Sequence, residues 1–212
     1  MKHTFYVLFI TFFLLFTGCG DNEKKSETVI QNLNSTKNTE QPVLTQKATS
    51  PIPKPVEEYH YTFKDLKQQD NVLHIKNDIY EFKNIKQPIV IITIMSTWCP
   101  PCRGQIPHLS KLQQKFKENL FAMGILVYDD ISKEKLNKFI IAQKMLFYLS
   151  TTQEKNLKFV NMITPKLGLP QDFPMPLTIV FVRGKYFTHY EGMIPEEMIE
   201  SDINQLLKKI KQ

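Results

Sequence analysis

The chain has 212 residues, room for one domain with appendages, and a formal net charge of +6 that lysine supplies almost alone, Arg103 and Arg183 being the arginines. Its lysines are interspersed with acids instead of gathered into a stripe, which argues against nucleic-acid binding and reads as solvation of helix faces, with some preference for an anionic membrane surface. The cysteines are Cys19, Cys99 and Cys102, a set that leaves nothing for a structural disulfide framework or a four-thiolate metal site.

Lys2 precedes an almost wholly apolar stretch from Phe5 to Phe16, followed by small Thr17 and Gly18 and then Cys19. About a dozen apolar residues are too few to span a bilayer, which takes about 20, so the segment reads as an export signal. Leu15-Phe16-Thr17-Gly18-Cys19 resembles the lipobox of bacterial lipoproteins. That resemblance implies cleavage of residues 1–18, lipidation of Cys19, and anchoring in which each buried methylene adds about 0.8 kcal/mol. An ordinary secretory leader with an incidental cysteine is the alternative. Gly20, where an aspartate would signal retention, favours the outer membrane where two membranes exist. Residues 19–57 are then rich in Asn, Gln, Ser, Thr and Lys and punctuated by Pro42, Pro51, Pro53 and Pro55, the composition of a disordered tether.

The globular part, residues 58–212, opens with three short strand patterns at Tyr59–Phe63, Val72–Ile75 and Ile79–Phe82, the last two separated by the turn residues Asn77 and Asp78. Ile89 to Met95 is a continuous apolar, β-branched run that predicts a central strand covered on both faces. Ile106, Leu109, Leu112 and Phe116 recur at helical spacing and predict a helix from about Pro101 to Glu118, kinked by Pro107. A strand over Leu120–Tyr128, a helix capped by Ser132 and running to about Lys144, a strand near Phe147–Leu149 and a helix near Glu154–Ile163 follow. Leu177–Val182 and Tyr186–Tyr190 flank the turn Arg183-Gly184-Lys185 as a hairpin. A last helix begins at Pro195, with Glu196 and Glu197 in its first turn and Lys208 and Lys209 in its last. The expected fold is α/β, a mixed sheet with helices on both faces and an N-terminal β-hairpin extension.

The chemistry lies in Trp98-Cys99-Pro100-Pro101-Cys102, between the central strand and the helix after it. A strand-to-helix junction places Cys99 at a helix N-terminus, where free amides and the positive end of the dipole favour the thiolate. Cys102, one turn on, is placed to attack a mixed disulfide and release the product. Pro100 and Pro101 stiffen the link and remove amide donors, with an effect on potential that runs either way. A zinc knuckle would need a second cysteine pair or paired histidines, and His60, His74, His108 and His189 form no such pair. Arg103 in place of histidine excludes C-x-x-C-H haem attachment.

From about Tyr59 to Ile210 the chain resembles the thioredoxin superfamily, and within it the membrane-tethered, extracytoplasmic oxidoreductases of the TlpA/ResA type. The resemblance rests on Trp98-Cys99-Pro100-Pro101-Cys102-Arg103, on Pro107 in the helix, and on Pro176 between Met175 and Leu177-Thr178-Ile179-Val180. It implies a thioredoxin-like fold, Cys99 as attacking thiolate, Cys102 as buried resolving thiol, and a cis Pro176 beside the sulfurs. It also implies a Met175 backbone that pairs with an extended substrate segment, and Trp98 flanking the substrate surface. No cofactor is implied beyond the Cys99–Cys102 disulfide, and no metal. The implied activity is reduction of disulfides in exported proteins, apocytochrome c among them, with electrons from a membrane thiol transporter of the DsbD/CcdA type. The implied location is a bacterial membrane, on the periplasmic or outer side.

Two positions depart from the family pattern: Gln105 stands where a glutamate is common, and Thr93 where thioredoxins bury an aspartate. Proton handling then falls to water, Glu191, Asp172 or His108. Two rival readings stay open, a disulfide-forming oxidase of the same fold and a copper metallochaperone holding the ion on Cys99 and Cys102.

Overall fold

The computed structural model describes residues 57–211. The expected leader, the lipidation site Cys19 and most of the tether lie outside the described residues.

Eight strands form one mixed sheet in the order β1-β2-β3-β8-β7-β4-β5-β6, and four helices flank it. The strands are β1 Glu58–Lys64, β2 Asp70–Lys76, β3 Ile79–Phe82, β4 Ile89–Met95, β5 Leu120–Leu126, β6 Tyr148–Ser150, β7 Leu177–Val182 and β8 Lys185–Glu191. The helices are α1 Pro100–Lys115, α2 Lys133–Ala142, α3 Gln153–Lys166 and α4 Glu196–Ile210. β4, β5 and β6 run parallel, while β7 pairs antiparallel with both β4 and β8.

β4 is buried along its whole length because it has helices on both sides. Val90, Ile92 and Ile94 point into a core closed by Phe159, Val160 and Ile163 of α3. Ile89 and Ile91 point the other way, onto Leu109 and Leu112 of α1 and Ile199, Ile203 and Leu206 of α4. The period-2 alternation of a strand thus feeds two cores from one run of residues.

The expected N-terminal hairpin extension is present as β1 and β2, and β3 extends it into a three-stranded antiparallel ribbon that continues the main sheet. β3 joins β8 at Ile79↔Lys185, with the Tyr80 N–H donating to Gly184 O at 2.7 Å. Both turns that enable this are of the φ-positive kind that matches strand twist: Asn77 and Asp78 at φ 51° and 59°, and Arg183 and Gly184 at φ 48° and 76°. A Cβ on Gly184 would also stand 2.8 Å from Tyr80 O, so the glycine is required twice over. β1 and β6 end the strand order, yet the Thr151 N–H donates to Lys64 O at 2.8 Å. The sheet therefore curls around α3, and Phe63 and Tyr61 meet the Phe159 ring edge-on.

Several boundaries differ from the sequence expectation. α1 starts one residue earlier, at Pro100, and stops at Lys115, because the chain turns at Phe116 to let Asn119 and Leu120 donate to Phe116 O. β5 ends at Leu126, since Tyr128 takes φ 51°. α2 ends at Ala142 and not near Lys144, whose φ of 48° breaks the helix, and β6 shifts one residue on, to Tyr148–Ser150. α3 runs past Ile163 to Lys166, absorbing Pro165 in its last turn.

Candidate active site

β4 ends at Met95 and α1 begins at Pro100, so the four residues between them lie at the C-terminal edge of the parallel strands, where α/β sheets place their sites. Cys99 is the N-cap of α1, and its Sγ accepts the Cys102 N–H at 3.2 Å. Pro100 and Pro101 fill the first two helical positions and have no N–H. The first free amide of the helix is consequently that of Cys102, and it points at sulfur. No acidic residue sits in the first turn to offset the dipole.

Cys99 and Cys102 form a disulfide across Cα atoms 5.3 Å apart. Both cysteines are buried, Cys99 at 4% exposed and Cys102 at 1%, so Cys99 is the less deeply buried of the pair. Both pack in a small core with Met95, Ile106, Leu126, Leu136, Met145 and Leu149.

The Met175–Pro176 bond is cis, and Pro174 is not. Met175 O lies 3.8 Å from Cys99 Sγ, and Met175 Sδ lies 3.9 Å from the Ser96 hydroxyl, which donates to Val127 O at 2.5 Å. The sequence-predicted residues Trp98, Cys99, Cys102, Met175 and Pro176 thus gather at one place. Pro100 and Pro101 are exposed beside them. Trp98 is 57% exposed, and its Nε1 donates to Tyr128 O at 2.6 Å, which holds the indole out over the surface.

A residue that sequence reasoning passed over completes the site. Asp129 is buried just beyond β5, and its carboxylate accepts the Thr97 N–H. Gln153 at the start of α3 clasps the Asp129 backbone, accepting its N–H at 2.9 Å and donating to its carbonyl. The signal was present as Asp129-Asp130 after an apolar strand, but it reads equally as a solvated turn.

Gln105 is fully buried; its Oε1 accepts the Ile194 N–H at 2.9 Å, while its Nε2 has no partner. His108 donates from Nδ1 to Ile194 O at 3.0 Å. These two side chains clasp the loop before α4, which gives both a holding role. Glu191 and Asp172 are exposed, Glu191 lying 4.0 Å from His189. Thr93 bonds the Thr178 hydroxyl across β4 and β7 at 3.2 Å, filling its buried position with a neutral pair.

A model of the Redoxin family matches residues 62–207, from β1 to α4. The chain belongs to the Redoxin family. No curated protein sequence matches it. Among solved structures it is similar to a thioredoxin-family thiol:disulfide interchange protein from Chlorobium tepidum TLS, at 15% identity and TM-score 0.54, over 75% of this chain and 99% of that one. It is also similar to a putative thiol:disulfide interchange protein DsbE from Chlorobium tepidum, at 19% identity and TM-score 0.51, over 70% and 94% of the two chains. A thiol:disulfide interchange protein from Bacteroides sp. matches at 20% identity and TM-score 0.50, over 69% and 87%. These likenesses establish a thioredoxin-like fold. With the family and the Cys99–Cys102 disulfide, this redoxin is a thiol–disulfide oxidoreductase. No helix among the described residues is long and apolar enough to cross a membrane.

Proposed function

We propose that this redoxin is a lipid-tethered, extracytoplasmic reductase of disulfides in exported proteins, with apocytochrome c the leading client and a membrane thiol transporter of the DsbD/CcdA type the donor. The observation that carries the reading is the placement of Cys99 Sγ between the first free amide of α1 and the partly buried Met175 O beside the cis Pro176. In the reducing direction, the Cys99 thiolate attacks one sulfur of a client disulfide, forms a mixed disulfide and releases the other client sulfur as a thiolate. The Cys102 sulfur, as thiolate, then attacks Cys99 Sγ and expels the second client sulfur. Two electrons pass to the client, the protons of the dithiol end on its two thiols, and the Cys99–Cys102 disulfide remains.

The client backbone lies along Met175 in the manner of an added strand, with Trp98 bordering it. The predicted leader and lipobox around Cys19 support the tether and the compartment.

Two measurements test this. Cys102→Ser in the full chain traps clients on Cys99 as mixed disulfides, and a lack of trapped exported proteins would overturn the client class. A reduction potential near about −270 mV fits a reductant, while one near about −120 mV makes the protein an oxidant and reverses the proposed current.

A further inference from the structure

The outer ribbon carries a second group of chemistry-bearing side chains that the thiol chemistry does not use. His60 of β1 and His74 of β2 are directly opposed partners in the antiparallel register. Their rings lie nearly parallel, 9° between planes and 4.3 Å between centroids. Glu58, two residues before His60 and so on the same face, sends Oε1 to 2.8 Å from His74 Nε2 and 3.5 Å from His60 Nε2. One ligand atom from each of the three lies within 4.8 Å of the others.

We propose that Glu58, His60 and His74 bind one divalent transition-metal ion, zinc or copper(II) in class, through Glu58 Oε1 and the Nε2 atoms of both histidines. Metal bonds of 2.0–2.2 Å at tetrahedral angles separate neighbouring ligand atoms by about 3.4 Å. The two glutamate–imidazole distances bracket that value. Because each Nε2 lone pair lies in its ring plane, one ring must turn out of the parallel stack to meet the ion, and that ring is His60, whose side chain is 66% exposed, while His74 is 19% exposed and held. Two imidazoles with one carboxylate suit zinc, copper or nickel better than the oxygen-seeking magnesium and calcium. Three protein ligands leave a fourth position to water.

The surroundings fit this use. Glu81 faces His74 across the β2–β3 pair, its Oε2 3.6 Å from His74 Nδ1. Without an ion His74 Nε2–H donates to Glu58; an ion at Nε2 displaces that proton, and the Glu81 carboxylate then stands on the side where the ring keeps its remaining proton, at Nδ1. Lys76 approaches Glu58 through the other carboxylate oxygen, Oε2, at 3.6 Å, and leaves Oε1 to the histidines. A bound ion links β1 to β2 across the ribbon and adds to its stability.

The test uses the full chain carrying Cys19→Ser, kept oxidised so that Cys99 and Cys102 stay in their disulfide. It is titrated with zinc sulfate at pH 7.5 by calorimetry, and its histidine ring resonances are followed in parallel. One equivalent is expected to bind, moving the His60 and His74 rings together and leaving His108 and His189 in place. His60→Ala and His74→Ala are each expected to weaken binding at least tenfold. Glu81→Gln weakens it about tenfold with stoichiometry unchanged. The proposal is overturned by absence of binding, by binding that survives the double histidine variant, or by ring shifts confined to other histidines. The ring measurement needs no variant at the site, so it decides the matter even where a substitution unfolds the ribbon.

Discussion

The buried Asp129 carboxylate accepts the backbone N–H of Thr97, two residues before Cys99. A residue beyond β5 thereby holds the loop that follows β4, and Tyr128 O takes the Trp98 indole N–H in the same clasp. Asp129→Ala leaves a buried donor unpaired and is expected to cost about 1–3 kcal/mol in urea unfolding. Asp129→Asn keeps an acceptor and is expected to lose less. Disulfide reduction by the alanine variant should slow more than by the asparagine variant, as stopped-flow rates at equal folded fraction will show.

Trp98 bonds outward and is more exposed than buried, so Trp98→Ala is expected to change unfolding free energy by under about 1 kcal/mol. Turnover of a folded protein client should fall several-fold through KM. Exchange with a small disulfide such as oxidised glutathione should hold steady. Equal losses on both substrates would place the indole in packing and not in client contact.

Gln105 offers a test of what its neutral side chain avoids. Gln105→Glu retains an oxygen for the Ile194 N–H but buries an ionisable group. Burial raises a carboxyl pKa in the folded state above its unfolded value, so the folded protein binds the proton more tightly. The stability it contributes is full below the unfolded pKa and is lost as pH rises through the folded one. The variant should therefore be less stable at pH 7 than at pH 5 relative to the parent, measured by urea midpoints at both.

Tyr148 joins β6 to the ribbon, its hydroxyl lying 2.8 Å from Phe63 O and 2.7 Å from Gln69 O, so that its single proton is shared between the two carbonyls. Burial is the main cause that pushes its hydroxyl well above the ordinary tyrosine value, and the nearby Asp65 charge pushes it further. Tyr190 is raised the same way, by burial first and then by its hydrogen bond to Asp202. Raised folded values mean stability present below about pH 10 and lost as pH climbs beyond it. Tyr148→Phe should lower the melting temperature at pH 8 through the lost hydrogen bonding, and should flatten its fall between pH 10 and 11.5.

The local patterns carried what is local. The run Ile89–Met95, apolar except for Thr93, states a strand buried on both faces, because a strand with one face in water would alternate apolar and polar residues. Asn77-Asp78 and Arg183-Gly184 mark turns through the conformations those residues tolerate. Cys99, Pro100, Pro101 and Cys102 name the chemistry and the end of the helix that serves it, since capping and the missing proline amides act within one turn. The fold class followed from the alternation of strands and helices. What required the tertiary structure was every relationship across the chain. Asp129 beneath Thr97, Gln105 and His108 around Ile194, and Lys64 against Thr151 each join segments that share no pattern in sequence. A buried carboxylate and a solvated turn are spelled alike; the curl of the sheet around α3 and the packing of the loops decide which one a residue becomes.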